Sequence, residues 1–385
     1  MFGIHLGRSR EKIVAVADIG SGSAAVAILA VPKDGPVRIL AAERRSLPIE
    51  ERSPAAIIAA IGAHLIGAGQ HALENHREAG GKMPHSVYAI IRAPWTRSKT
   101  VTARTTFPKA TSISGKVIGK LAQQALAEDT EFARENILEA GVVRVEVNGY
   151  PTSRPEGKSG NELNVSALVS GCDPGLRASV NSALQQLFGS QPVTWRSGVH
   201  ATLSVMRVTP ASPDEFVVVD MASEGTSFMV IRNGLVTEYA STSEGKNSIL
   251  KRISGNNMPD DTLTLLRLIA GGECHDPACE AVNAAAAKAE PELVRAFGEA
   301  IAKLVQRQRL PNHLILTTHQ DLIPWLSGLF SRIDFAQFTT TTQPFVVSSL
   351  KSLDLAHWAL PETAVRIDTG IHLAAALVNI EERRA

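Results

Sequence analysis

The sequence predicts an α/β protein built of two similar lobes, and three observations predict it. A chain of 385 residues exceeds what one ordinary core organises, so more than one domain is expected. Two stretches, AVADIGSGSAA (residues 15–25) and VVVDMASEGTS (217–227), each drive an apolar strand into an aspartate and then into a tight turn of small residues. Each is continued in the same way, by two further strand-like runs and then by sequence with helical spacing. A repeat of this size implies two domains of one architecture.

In the first unit, residues 13–19 are apolar except for Asp18. The turn GSGS (Gly20, Ser21, Gly22, Ser23) leads to the run 24–31, a PKDG turn and the run 37–42. Residues 54–79 carry Ile57, Ile58, Ile61, Leu65, Ala68 and Ala72 on one helical face, with Ser53 as N-cap. Next come strands at 85–94 and in SKTVTARTTFP, a helix at 114–129, and strands in ILEAGVVRVEVNGYPT and NELNVSALVSG. Helices are expected at 173–187 and 196–206. In the second unit, 216–219 leads to Asp220, the turn ASEG, the run 228–231, the turn RNG and the run 235–240. Helices at 262–269 and 290–307, a strand at 314–317 and a closing helix in IDTGIHLAAALVNIEERRA complete the chain.

Composition bounds the function. Apolar residues make up 44% and charged residues 20%, which points to a globular rather than a disordered chain. A net charge of +1 gives no electrostatic reason to bind nucleic acid or an anionic membrane. Three cysteines argue against a disulfide scaffold and for a reducing compartment. Cys274 and Cys279 offer half a metal site, but no second ligand pair follows in the sequence, so ordinary thiols are expected. No apolar run reaches the ~18–20 residues of a membrane span. The opening MFGIHLGRSREK is too short for a signal peptide and reads as a frayed terminus or a docking arm.

The two turns suggest a chemistry. Small residues let backbone N–H groups approach a phosphate, and an aspartate at a strand end can hold Mg²⁺ through water. Two such hairpins facing across a cleft would grip a nucleotide from both sides. On these residues the chain resembles the superfamily of actin, the heat-shock chaperone ATPases and the sugar kinases. The small module of strands around one helix between the units, with its NGYPTSRPEGK turn and the opening MFG…DIGSGS, is similar to that of the bacterial FtsA and PilM families.

The resemblance implies two actin-like (ribonuclease H-like) lobes around a nucleotide cleft. The first lobe would comprise 12–84, 174–208 and 365–385, and the second 209–247 and 308–364, with a small subdomain at 248–307. An FtsA-type subdomain at 85–173 would replace actin's outer small domain. The resemblance also implies ATP and Mg²⁺ as ligands. Asp18, Gly20, Ser21, Gly22 and Ser23 would form the first phosphate turn. Asp220, Gly225 and Thr226 would form the second, and Thr318 the adenosine side, with Asp18 and Asp220 serving the metal.

Two of these pieces depart from the family pattern. The second turn has one glycine where a run is expected, and Glu224 stands in it. The strand ending at Thr318 continues into His319 and Gln320 instead of glycines, and the helix expected near the ribose offers only Arg267. No catalytic base stands out. The expectation is a scaffold with a degenerate ATP site that binds division or pilus membrane proteins and is able to self-associate into filaments. It would be cytoplasmic and recruited to the inner face of the membrane through partners, since NIEERRA lacks FtsA's amphipathic helix. Division and pilus roles both stay open, as does an active ATPase or small-molecule kinase.

Overall fold

The computed structural model describes residues 11–50, 52–209, 213–305 and 308–383; the opening MFGIHLGRSR arm lies outside them. The chain divides into two compact units. One is formed by Met1–Ile91, Gly175–Thr209 and Lys351–Ala385, the other by Arg92–Pro174 and Pro210–Leu350.

In the first unit β1 (Lys12–Ile19), β2 (Ser23–Val31) and β3 (Val37–Ser46) form an antiparallel meander. Helix α1 (Pro54–Glu78) returns the chain to β4 (Ser86–Ile91), which lies parallel to β1. The second unit opens with β5 (Thr96–Ser112), α2 (Gly115–Glu128), β6 (Ile137–Val147), β7 (Tyr150–Pro151) and β8 (Ser159–Cys172). These strands form their own sheet, in the order β5-β8-β6-β7. Ile113, Ile118, Leu121, Leu163 and Val165 fill the space between that sheet and α2. The first unit resumes with α3 (Pro174–Phe188), β9 (Val193–Ser197) and α4 (Gly198–Met206).

The rest of the second unit starts from β10 (Glu215–Met221), β11 (Thr226–Arg232) and β12 (Leu235–Thr242). It continues through α5 (Lys246–Ile253), α6 (Pro259–Gly271), α7 (Pro277–Leu304), β13 (His313–Thr317), α8 (Ile323–Phe330), α9 (Ile333–Ala336) and β14 (Val346–Ser349). The first unit then closes with α10 (Ser352–Leu355), β15 (Ala359–Pro361) and α11 (Thr369–Glu382).

The sequence echo is a topological one. The first sheet runs β15-β3-β2-β1-β4-β9 and the second β12-β11-β10-β13-β14. Apart from the added edge strand β15, both have an antiparallel meander followed by two parallel strands. Even the pairing irregularity recurs: it falls ten residues past Asp18, at Ile28/Leu29, and ten past Asp220, at Val230/Ile231. Both central strands are apolar and buried along most of their length, as two-sided coverage by helices requires. In the second unit Phe228, Phe297, Phe330 and Phe335 stack in series at 5.3–5.9 Å between centroids, contacts that add to simple burial.

Helix α1 is long and apolar enough to cross a membrane by composition. Here it covers the first sheet with Ile61, Leu65, Ala68 and Ala72 fully buried, and Ser53 caps it by accepting from the Ala56 amide. Its glycines have a packing reason: a Cβ on Gly62 would meet Ser179 Oγ at 2.5 Å.

Two expectations are corrected. Helix α7 begins at Pro277, not near residue 290, because Asp276 caps it and Pro277 occupies its first turn. That turn also brings Cys274 to Cys279, with Cα atoms 5.9 Å apart, and the two are disulfide-bonded rather than ordinary thiols. Cys172 is free and buried.

Helix α11 carries a buried histidine. His372 Nε2 lies 2.8 Å from the Ala359 carbonyl oxygen, and Nδ1 has no hydrogen-bond partner. Burial pushes its pKa down, outweighing the carbonyls of Ala359 and Leu355, which push it up. The folded state therefore favours the neutral ring, while the unfolded chain takes up a proton near pH ~6.5. Stability should be full above that pH and decline as pH falls from it toward the depressed folded value. Thermal melts from pH 7.5 to pH 5 should show a smaller acid loss for His372→Gln than for the native protein; equal slopes would exclude His372 as a source.

Candidate functional site

Asp18 ends the central strand of the first unit and is 2% exposed. A carboxylate that deep needs a counter-charge, and Arg44 supplies it. Arg44 Nη2 donates to Asp18 Oδ2 at 2.6 Å, its Nε to Asp368 Oδ2 at 2.5 Å and its Nη1 to Ser23 Oγ at 2.9 Å. Burial would lower the guanidinium's pKa, but the charges of Asp18 and Asp368 outweigh it and raise the pKa well above its ordinary value. Arg44 is a fixed cation.

The register of the sheet explains the contact. Asp18 pairs with Ala25, and Ala25 pairs with Arg44. Residues aligned across neighbouring strands share a face, and two strand spacings amount to about 10 Å, within the reach of an arginine. Asp368 enters from the other side as the N-cap of α11, accepting from the Ile371 amide at 3.0 Å. Gly370 lets that helix start so close: a Cβ there would lie 2.8 Å from Asp18 Oδ2 and 2.9 Å from Arg44 Nη2.

The GSGS turn is partly used up by its own fold. The Gly20 amide donates to the Ser23 carbonyl at 3.0 Å, and the Gly22 carbonyl accepts from the Leu47 amide at 2.8 Å. Ser21 is buried. Of the residues of this strand end and turn, Asp18 and Ser23 bond to Arg44, while Gly20 and Gly22 make backbone hydrogen bonds of their own.

The second hairpin solves the same problem differently. Asp220 pairs with Ser227, which pairs with Ser241, so serine stands where the first unit has Arg44. The help comes instead from the parallel neighbour: Thr317 is in register with Asp220 and its Oγ1 donates to Asp220 Oδ1 at 2.7 Å. Thr318, singled out from the sequence, does not make this contact; its Oγ1 is buried without a hydrogen-bond partner. Ser227 Oγ lies 3.0 Å from the hydroxyl of Tyr239.

The turn itself is closed by the start of α5. The Lys246 amide donates to the Ala222 carbonyl and the Asn247 amide to the Ser223 carbonyl, both at 2.9 Å. Thr226 Oγ1 donates to the Glu244 carbonyl at 2.5 Å. Gly245 is what permits the approach, since a Cβ there would stand 2.3 Å from the Gly225 nitrogen. Gly225 is buried under Thr242, whose carbonyl oxygen a Cβ on Gly225 would meet at 2.9 Å. Glu224 is exposed and accepts from Asn247 Nδ2 at 2.6 Å. Beside it, burial pushes the Lys246 amine's pKa down, against the pull of Asp260 and Glu224. Arg267 is paired with Asp321 at 3.3 Å.

Arg44, Asp368, Gly370, Thr317, Gly245 and Asn247 were not legible as site residues. Arg44 is found only once the three-strand register is known, and Asp368 only once α11 is placed on that sheet.

Magnesium-bound nucleotide fits this donor set poorly. Asp18 already has its cation, and the first amides of α5, Lys246 and Asn247, are donors that an anion would need but are taken by carbonyls of the second turn.

No protein-family model and no curated protein matches the chain. Among solved structures, a PilM–PilN type IV pilus biogenesis complex superposes with a TM-score of 0.55 at 14% identity, covering 95% of this chain and 98% of that one. The ethanolamine utilization protein EutJ of Carboxydothermus hydrogenoformans superposes with a TM-score of 0.44 at 11% identity, covering 96% and 90%. The first superposition shows the fold, which is the actin-like ATPase fold; the second is too loose to add to it.

Removing Arg44 should strip the buried Asp18 carboxylate of its ion pair, and breaking a buried pair from one side typically costs about 3–5 kcal/mol. In urea titrations Arg44→Ala should lose roughly that much, and millimolar Mg²⁺ should restore part of it while leaving the native protein unchanged. A loss under ~1 kcal/mol would mean that the pair is not a buried one. Gly370→Ala should be destabilised by the same disruption, measured in the same titration.

Proposed function

We propose that this chain is a bacterial actin-like scaffold which binds segments of membrane-associated proteins and has given up ATP turnover. The observation that carries the reading is the Asp18–Arg44 pair. A lobe that used Asp18 to hold hydrated Mg²⁺ would have to leave its carboxylate facing water and cation; here an arginine of the same lobe occupies it, tied in turn to Asp368 and Ser23. The second turn supports the same reading, since its carbonyls serve α5.

The fold, combined with a spent nucleotide site, leaves surfaces for partners as the chain's working parts. The superposed structure is a pilus biogenesis complex, so a pilus inner-membrane protein is the partner class to test first. Recruitment to the inner face of the membrane would then come through that partner, and self-association into filaments is a further use of the same fold.

Two measurements on purified protein test this together. ATP turnover should stay far below the ordinary enzyme range of ~1–10³ s⁻¹, with and without Mg²⁺. Affinity capture from cells of the source organism should recover a pilus inner-membrane protein rather than the tubulin-like division protein. Turnover within that range would overturn the scaffold reading, and recovery of the division protein would move the role to division.

A further inference from the structure

The α6–α7 connection carries a chemistry unrelated to nucleotide. Gly272 ends α6 in the left-handed region, and four residues later Asp276 caps α7, accepting from the Cys279 amide at 2.9 Å. Residues 274–279, CHDPAC, run through this cap into the first turn of α7, and the tight turn holds the sulfurs of Cys274 and Cys279 together.

The two cysteines have different environments. Cys279 is 3% exposed and sits in the first turn of a 28-residue helix. Cys274 is partly exposed, flanked by exposed residues on both sides. A partly exposed thiol is the one a small disulfide can reach. Cys172 is buried in the inserted sheet of the same unit and is free.

We propose that Cys274 and Cys279 form a reversible thiol–disulfide site, oxidised by low-molecular-weight disulfides such as oxidised glutathione. The Cys274 thiolate attacks the small disulfide, forming a mixed disulfide and releasing one small thiol. The Cys279 thiolate then attacks Cys274 Sγ; the bond to the small molecule breaks and the second small thiol leaves with the remaining proton. Two electrons and two protons pass from the cysteine pair to the oxidant. Asp276 keeps Cys279 in position through its cap. The closed loop is short, so the bond fixes the α6–α7 connection and not the fold as a whole. Helices α5, α6 and α7 pack through Ile249, Leu250, Leu263, Leu266, Val282 and Leu293, none of which is a cysteine, so the packing does not depend on the sulfur–sulfur bond.

The experiment is alkylation and intact-mass analysis of the full chain after equilibration in glutathione buffers of graded potential. Oxidised buffer should protect Cys274 and Cys279 together, at a mass lower by two hydrogens, while Cys172 stays reduced. Reduced buffer should restore both thiols with the far-ultraviolet circular dichroism unchanged. Cys279→Ser should trap one glutathione on Cys274. Hydrogen exchange should quicken on reduction only around residues 272–280. The proposal is overturned if both thiols stay alkylatable in oxidised buffer, if native protein stops at the mixed disulfide, or if protection requires added Zn²⁺ and comes without the loss of two hydrogens.

Discussion

A carboxylate at the end of a buried central strand constrains much of the first unit. Asp18 cannot sit there uncompensated, and two distant chain segments meet around it, one bringing Arg44 and the other the carboxylate that shares this arginine. Arg44 arrives along the sheet, Asp368 arrives as the cap of α11, and Gly370 keeps a side chain out of the way. The same contacts anchor the start of α11, whose length is then buried against α4 and the sheet. The far end of that helix is held similarly: Glu381 accepts from Arg196 at 2.7 Å, and Glu382 accepts from Lys12 at 2.8 Å. A helix pinned at both ends by ion pairs is a structural use of charge.

The two hairpins show how one topology accepts different chemistry. Strand order, direction and even the pairing irregularity are shared, yet the countering groups differ. In the first unit a long cation reaches across two antiparallel strands. In the second a threonine on the parallel neighbour donates a neutral hydrogen bond to Asp220. Both turns carry backbone hydrogen bonds of their own, from the Gly20 amide to Ser23 in the first and from the Lys246 amide to Ala222 in the second. Glu224, the charge that stands in the second turn, is exposed and tied to Asn247. The closure of the second turn comes from its neighbour, Gly245, which is the glycine that the close approach needs.

Much of the fold was legible because it rests on local signals. The apolar strands ending in Asp18 and Asp220, the Ser53 cap and the small residues of the closing helix read directly from the sequence. The site was less legible because it depends on register and on distant segments. Arg44 is 26 residues from Asp18 in sequence, and Asp368 is 350 away; only the sheet and α11 bring them together. Thr317, one residue before the Thr318 read for the adenosine side, was not legible as the partner of Asp220, because that contact follows from the register of β10 and β13. The pairing of Cys274 and Cys279 was missed because it follows from the tight turn that starts α7, and the start of that helix was itself placed too late.

The account stands on the claim that Arg44 has taken the place of the metal. Calorimetric titration of ATP into the purified protein, with and without Mg²⁺, tests it most directly. It predicts no saturable Mg²⁺-dependent heat at micromolar to millimolar nucleotide. Tight binding that needs Mg²⁺ would contradict it, because the cation would then have displaced Arg44 from Asp18.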